Sequence, residues 1–239
     1  MTTRGKLIVI EGIDGSGKRT QLRMLVRALV QRGIPCLELS YPRYDGFFGK
    51  MVGDYLNGGF GLLASVDPHF SALLYAGDRL ETRRILDDAL FEGRVILADR
   101  YVPSNLAHQG ARVAPEKRAD FVAWLRKLEY EIYGLPEEDL VIYLRLSAEE
   151  SQRRVATKSP RDYTVRRQDL HEADLAHLWA AAQMYDRLAE QPNWATVDGG
   201  DGTADHPRGA EDIQRDILAA VDSCIFGEIG ERPFPKRRS

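Results

Sequence analysis

Long hydrophobic stretches are missing from this sequence. Purely apolar runs, such as LIVI at 7–10, are far too short to cross a bilayer, so no membrane association is expected. The opening residues MTTRGKLIVIEG hold no extended apolar core and run straight into glycines, so no signal peptide is expected. Cysteine is scarce. Cys36 and Cys224 have no metal-ligand spacing and cannot build a disulfide framework, which suits a reducing cytosol; cytoplasm is the expected location. Excess positive charge is also absent. The net charge of −3 gives no global argument for a nucleic-acid partner, so any anion site must come from local clusters. Repeats and low-complexity linkers are lacking too.

What remains is an ordinary globular composition. Over 239 residues, 44% are hydrophobic and 29% charged, enough to bury a real core in one domain or at most two. Short apolar runs at 6–11, 35–41, 94–100, 140–146 and, more weakly, 194–197 read as strands. Near-continuous apolarity in the first and third predicts strands covered on both faces, as in a parallel sheet. Between them, residues 20–32 put Leu22, Leu25, Val26, Leu29 and Val30 on one helical stripe, stopped by Gly33 with Pro35 beyond. Less regular helical patterns cover 69–92, 115–133, 147–157, 169–190 and 209–223. Alternating strands and helices predict a doubly wound α/β fold with a five-stranded parallel sheet flanked by helices. The stretch after Phe226 reads as a loose tail, with two prolines and a basic end.

The first strand leads into Gly12-Ile13-Asp14-Gly15-Ser16-Gly17-Lys18, the pattern of a phosphate-binding loop. Glycines let backbone N–H groups converge on phosphate oxygens, and the following helix adds the positive end of its dipole. Lys18 would reach the β- and γ-phosphates. Strand, loop, Gly-Lys and helix in this order argue against an ordinary glycine-rich turn. The next residue is Arg19, where a hydroxyl usually helps hold Mg²⁺, and Thr20 follows one position late.

In open α/β sheets, ligands sit at the carboxyl ends of the strands. There the third strand ends in Asp99-Arg100-Tyr101. Asp99 is placed to hold a Mg²⁺-bound water and Arg100 to clamp a phosphate, although a strand-capping ion pair explains the same residues. Residues 153–167 contain six basic side chains and one acid. They read equally as a solvated face or as an arginine-rich flap that closes on the γ-phosphate and excludes water. Tyr75 and Arg79, four apart, share a helix face as an aromatic platform and a cationic donor; a core tyrosine with a surface arginine is the blander alternative. Arg43, in YPRY at 41–44, is a further phosphate anchor by position.

Taken together, EGIDGSGK (11–18), YPRY (41–44), LLYAGDRLE (73–81), DRYVPSNLAHQG (99–110) and LEYEIYGLPEEDLVIYLRL (128–146) resemble the thymidylate kinases, nucleoside-monophosphate kinases of the P-loop class. The resemblance runs from Lys6 to about Glu190. It implies a P-loop NTPase-type fold with a mobile arginine-rich lid at about 153–168, spanning 1–225 as a single domain. It also implies transfer of the γ-phosphoryl of ATP to thymidine monophosphate with Mg²⁺, in a homodimer. By the same resemblance the ATP phosphates lie on Gly12 to Thr20, with Lys18 on the donor and Asp14 near the acceptor's sugar and phosphate. Arg43 and Arg100 would bind the acceptor phosphate, with Tyr44 beside them. Tyr75 would stack on the base, Arg79 would face its carbonyl, and Asn105 would read its edge, with Ser104 and Gln109 in the same motif.

One branch of the family carries an arginine after the loop acid. Gly15 stands there in this chain, which leaves the catalytic role to lid arginines such as Arg161, Arg166 and Arg167. Asp14, Asp99 and Glu172 are the acids available for Mg²⁺. His108 replaces a family tyrosine on the deoxyribose side, which bears on discrimination against a 2′-hydroxyl. Two rival readings stay open: a kinase for another nucleoside or nucleotide, and a binding module that retains ATP without turning it over.

Overall fold

A computed structural model describes residues 4–156, 171–200 and 208–227, with side chains 156 and 171–174 excepted. Five strands form the sheet: β1 (Lys6–Glu11), β2 (Cys36–Ser40), β3 (Val95–Asp99), β4 (Leu140–Arg145) and β5 (Trp194–Asp198). Every pairing is parallel and the order is β2-β3-β1-β4-β5, with Lys6 opposite Val95 and Ile8 opposite Leu140. From β1 the chain crosses to the edge strand β2, returns to β3 beside β1, and then passes to the other side for β4 and β5. This opens a crevice at the carboxyl ends of β1, β3 and β4.

Period-2 alternation divides the strand residues between two cores. Leu7, Val9, Ile96 and Ala98 enter one core, while Ile8, Ile10, Leu97 and Ile142 enter the other. The second core is closed by α1 (Lys18–Gln31), through Leu22, Leu25 and Leu29, and by α9 (Ala210–Phe226), through Ile213, Ile217 and Val221. The first is closed by α3 (Pro68–Leu80), α4 (Arg83–Phe91), α5 (Val102–Gly110), α6 (Arg118–Arg126) and α8 (His171–Leu188). Burial on both faces accounts for the unbroken apolar runs, each such side chain contributing roughly 1.5–3 kcal/mol.

The helical pattern at 69–92 is two helices rather than one. Thr82 ends the first: its hydroxyl donates to Arg79 O at 2.7 Å and meets the Tyr41 hydroxyl, diverting local hydrogen bonding from the helix. The pattern at 115–133 is likewise a short 3₁₀ turn, then α6, then a π-helical turn at Lys127–Ile132. Two helices had no sequence expectation. In α5 nearly every side chain is buried, so no polar stripe marks it. In α2 (Phe47–Leu56), Gly49 and Gly53 dilute helix propensity. The short α7 (Ala148–Ala156) follows β4. Among the described residues no helix is long and apolar enough to cross a membrane.

Candidate active site

The glycine loop lies at the carboxyl end of β1 and delivers its chain into the first turn of α1. Gly12, Gly15 and Gly17 have φ of 140°, 78° and 95°, a region open to glycine and strained for other residues. Ile13 contributes its side chain to the core, so only its backbone faces the loop. Lys18 is buried and turned inward: its Nζ donates to Gly12 O at 2.8 Å and Ile13 O at 2.9 Å, with Ser16 Oγ at 3.4 Å. Burial, and then the neighbouring Arg100, lower its pKa to about 7. Arg19 and Thr20 are exposed on the first turn of α1. Helix α7 backs the loop, where Ser151 Oγ donates to Asp14 O.

Arg100 follows β3 with φ of 69°, an unusual conformation for a residue with a side chain. Its Nη2 donates to Asp14 Oδ1 at 2.5 Å, and its Nη1 reaches Ser104 Oγ at 3.0 Å and His108 Nε2 at 3.1 Å. Burial works against the guanidinium charge, but Asp14 and the nearby acids outweigh it and keep the pKa raised. Since Arg100 can only donate, His108 Nε2 accepts and the ring proton sits on Nδ1, 3.4 Å from His177 Nε2. Burial, then Arg100 and His177, depress the His108 pKa well below its usual value, so the ring is neutral.

What holds this turn is Glu11, which the sequence motifs left without a role. Its Oε1 accepts from the backbone N–H groups of Tyr101 and Ser104 at 2.8 and 3.1 Å. Its Oε2 accepts from the hydroxyls of Ser104 at 2.6 Å and Tyr185 at 2.8 Å. Burial raises its pKa, with Arg100 and the hydrogen bonds opposing. An acid closing an otherwise apolar strand is the sequence signal that marks it. Beside it, Asp99 Oδ1 is buried with no hydrogen-bond partner among the described residues.

Around α2 and α3, the backbone N–H of Arg43 donates to Asp78 Oδ2 at 3.0 Å. Tyr44 and Tyr75 pack on a satellite cluster of Val52, Tyr55, Val66 and Leu74, Tyr75 meeting Tyr55 edge-on. Arg79, read as an exposed cation or a base contact, is buried and paired with Glu129: Nε to Oε2 at 2.5 Å and Nη2 to Oε1 at 2.6 Å. Asn105 Nδ2 shares that carboxylate at 2.9 Å. Gln109 Oε1 accepts from Ser71 and Arg112. Asp78 and Glu129 had no sequence signal, because their partners are remote in the chain.

Arg161, Arg166 and Arg167 lie outside the described residues, as does the side chain of Glu172. Among the described residues no three His, Cys, Asp or Glu side chains group to hold a metal. That arrangement still fits Mg²⁺, which needs only one or two carboxylates beside waters and phosphates, and Asp99 offers an unpartnered oxygen.

Comparison with known proteins points the same way. The thymidylate kinase family model matches residues 10–205. The thymidylate kinase of Mycobacterium tuberculosis is 33% identical over 186 residues, covering 77% of this chain and 86% of that protein. The human thymidylate kinase is 33% identical over 64% of this chain and 66% of its own length. A probable thymidylate kinase of Thermococcus gammatolerans is 30% identical over 94% of this chain and its full length. The solved thymidylate kinase of Candida albicans shares the fold with a TM-score of 0.69, at 22% identity over 95% of this chain and 96% of that one. A glycine loop and a buttressed Arg100–Asp14 pair at adjacent strand ends, in a chain matched over this length, identify it as a member of the thymidylate kinase family.

Proposed function

We propose that this chain transfers the γ-phosphoryl group of ATP to the 5′-phosphate of thymidine monophosphate, giving thymidine diphosphate. The observation that carries this reading is the approach of two cationic groups from neighbouring strands, Lys18 in the loop after β1 and Arg100 after β3, with Asp14 between them. In-line phosphoryl transfer needs positioning and charge stabilisation more than covalent chemistry. Lys18 and the loop N–H groups bind the donor phosphates. Arg100, held by Asp14, Ser104 and His108, takes the acceptor phosphate with Arg43. An acceptor that is already anionic needs no strong general base.

Asp99, with Asp14 and Glu172, would hold Mg²⁺, which when bound neutralises charge on the phosphates. The arginines of 153–168 form the lid in this reading, and Gly15 leaves the transition-state charge to them. His108 lines the deoxyribose side and sets tolerance of a 2′-hydroxyl. Residues 1–225 act as one domain with a tail beyond. Free thiols at Cys36 and Cys224 favour the cytoplasm. Exposed Phe70, Leu73 and Leu80 recur along α3 at helical spacing and, with Phe47 on α2, favour a homodimer buried over that face.

The test is ADP release with Mg·ATP and a panel of nucleosides and monophosphates, with Lys18→Ala alongside. Turnover with thymidine monophosphate, lost in the variant, is expected. Rapid reaction of another acceptor while thymidine monophosphate stays inert would sink the assignment.

A further inference from the structure

The buried carboxylate of Glu129 serves two side chains at once. It lies in the π-helical turn Lys127–Ile132, fully shielded from solvent, and such turns often accompany functional sites. Its Oε2 takes Arg79 Nε at 2.5 Å, while its Oε1 takes both Arg79 Nη2 at 2.6 Å and Asn105 Nδ2 at 2.9 Å. The other neighbour of Asn105 Nδ2 is the carbonyl oxygen of Ala72, at 3.0 Å. A carboxylate and a peptide carbonyl have no hydrogen to give. Turning the Asn105 amide over would therefore set its oxygen against two acceptors. Of the two, the bond to the charged carboxylate is the stronger lock.

A consequence follows for the other end of the amide. Asn105 Oδ1 is buried, in a side chain only 3% exposed, and has no hydrogen-bond partner among the described residues. A buried acceptor left in this state is costly, and the cost is removed when a ligand delivers an N–H. It is the only pole Asn105 has left to offer a ligand, because both hydrogens of Nδ2 are already engaged.

We propose that Glu129 is a positioning residue for base selectivity: by locking Asn105 it commits the site to a pyrimidine carrying an imide N–H. This rests on the acceptor being a nucleoside monophosphate, as proposed above. A 2,4-dioxopyrimidine brings a ring N–H to the waiting oxygen. A 4-aminopyrimidine brings a ring-nitrogen lone pair, which meets the oxygen lone pairs and leaves Oδ1 unsatisfied. Sites that hydrogen-bond a substrate group reject the analogue lacking it because their own polar atoms are stranded. Glu129 touches neither base nor phosphate in this scheme and acts only through Asn105 and Arg79.

The experiment is steady-state kinetics of the full chain with thymidine, deoxyuridine and deoxycytidine monophosphates, comparing wild type with Glu129→Gln. Glutamine keeps one neutral acceptor oxygen in place of two charged ones, so Arg79 and Asn105 compete for it and the lock weakens. Wild type should use both dioxopyrimidines and disfavour deoxycytidine monophosphate. In the variant, the kcat/KM ratio of thymidine to deoxycytidine monophosphate should fall about tenfold, equivalent to ~1.4 kcal/mol. The change should appear in acceptor KM, with KM for ATP unaltered. An equal loss on all acceptors, or an unchanged ratio, overturns the inference and leaves Glu129 as a structural partner of Arg79. If Glu129→Gln does not fold because it strands the Arg79 charge, Glu129→Asp retains the charge one methylene short. The same ratio is then expected to fall about threefold, and no change there overturns the inference equally. Wild-type turnover that does not distinguish thymidine from deoxycytidine monophosphate also overturns it, while leaving the kinase assignment intact. Absence of turnover with every monophosphate defeats the assignment itself, and the inference with it.

Discussion

The Lys18 ammonium donates to the carbonyl oxygen of Gly12 at 2.8 Å, so the charge suited to phosphate is turned onto its own loop. Its folded pKa of about 7 lies below the ordinary 10.5, so between these values the unfolded chain holds more protons than the folded one. The Lys18 contribution therefore penalises stability most below pH 7 and fades as pH rises to 10.5. A triphosphate is a new anionic neighbour and raises the pKa again. ATP binding at pH 8 should take up a fraction of a proton, read from calorimetric enthalpies in buffers of different ionisation enthalpy. Lys18→Ala should abolish the uptake, and zero uptake in wild type would refute the depressed pKa.

Glu11 anchors the turn that presents Arg100. Replacing it with glutamine puts an NH2 in place of one of the two oxygens that together accept four hydrogen bonds. We expect Glu11→Gln to cost about 2 kcal/mol, lowering Tm by roughly 4–8 °C. Acceptor KM should rise at least several-fold while KM for ATP stays put. Lost stability with unchanged acceptor KM would limit Glu11 to a structural role.

Glu138 is another buried acid, away from the loop. It lines a cavity of about 350 Å³ with Arg126, Tyr130 and Trp194, and the Tyr130 hydroxyl donates to its carboxyl group at 2.9 Å. Burial pushes its pKa up to about 8 from 4.5. Here the folded chain holds the extra proton, so this contribution to stability is full below pH 4.5 and declines as pH rises to 8. Glu138→Gln, which mimics the protonated form, should flatten that decline. Melting temperatures at pH 5.5 and 8.5 should show the variant gaining on wild type at the higher pH; parallel curves would exclude the shift.

Gly15 follows the loop acid Asp14, where the resemblance implies an arginine in one branch of the family. A side-chain carbon there would lie 2.9 Å from Ser151 O, at a φ of 78°. Gly15→Arg should therefore destabilise by about 1–3 kcal/mol and leave kcat no higher. A stable variant with raised kcat would show that the loop accepts a catalytic arginine despite α7.

Much of the loop and its flanking elements was readable in the sequence. The strand endings, the glycine loop and the start of α1 near Lys18 follow from patterns contained within short windows, and the strand-end acid and base of Asp99-Arg100 were legible for the same reason. The surroundings of α3 and α5 were less so. Arg79 reads as half of a surface motif, yet it is buried, because Glu129 lies 50 residues later and neutralises it. Helix α5 carries Ser104, Asn105 and His108, but burial on all sides erased the periodicity that reveals helices.

The sequence alone determined the alternation of strands and helices and the glycine loop between β1 and α1. Hydrophobic periodicity and glycine conformation act over a few residues and need no distant partner. Only the tertiary structure decided which polar side chains are satisfied, and by whom. Glu11 meets Tyr185 across 174 residues, and Asn105 meets Glu129 across 24. Such pairings depend on which helix faces close over the sheet, and burial then fixes each donor to the acceptor it finds there.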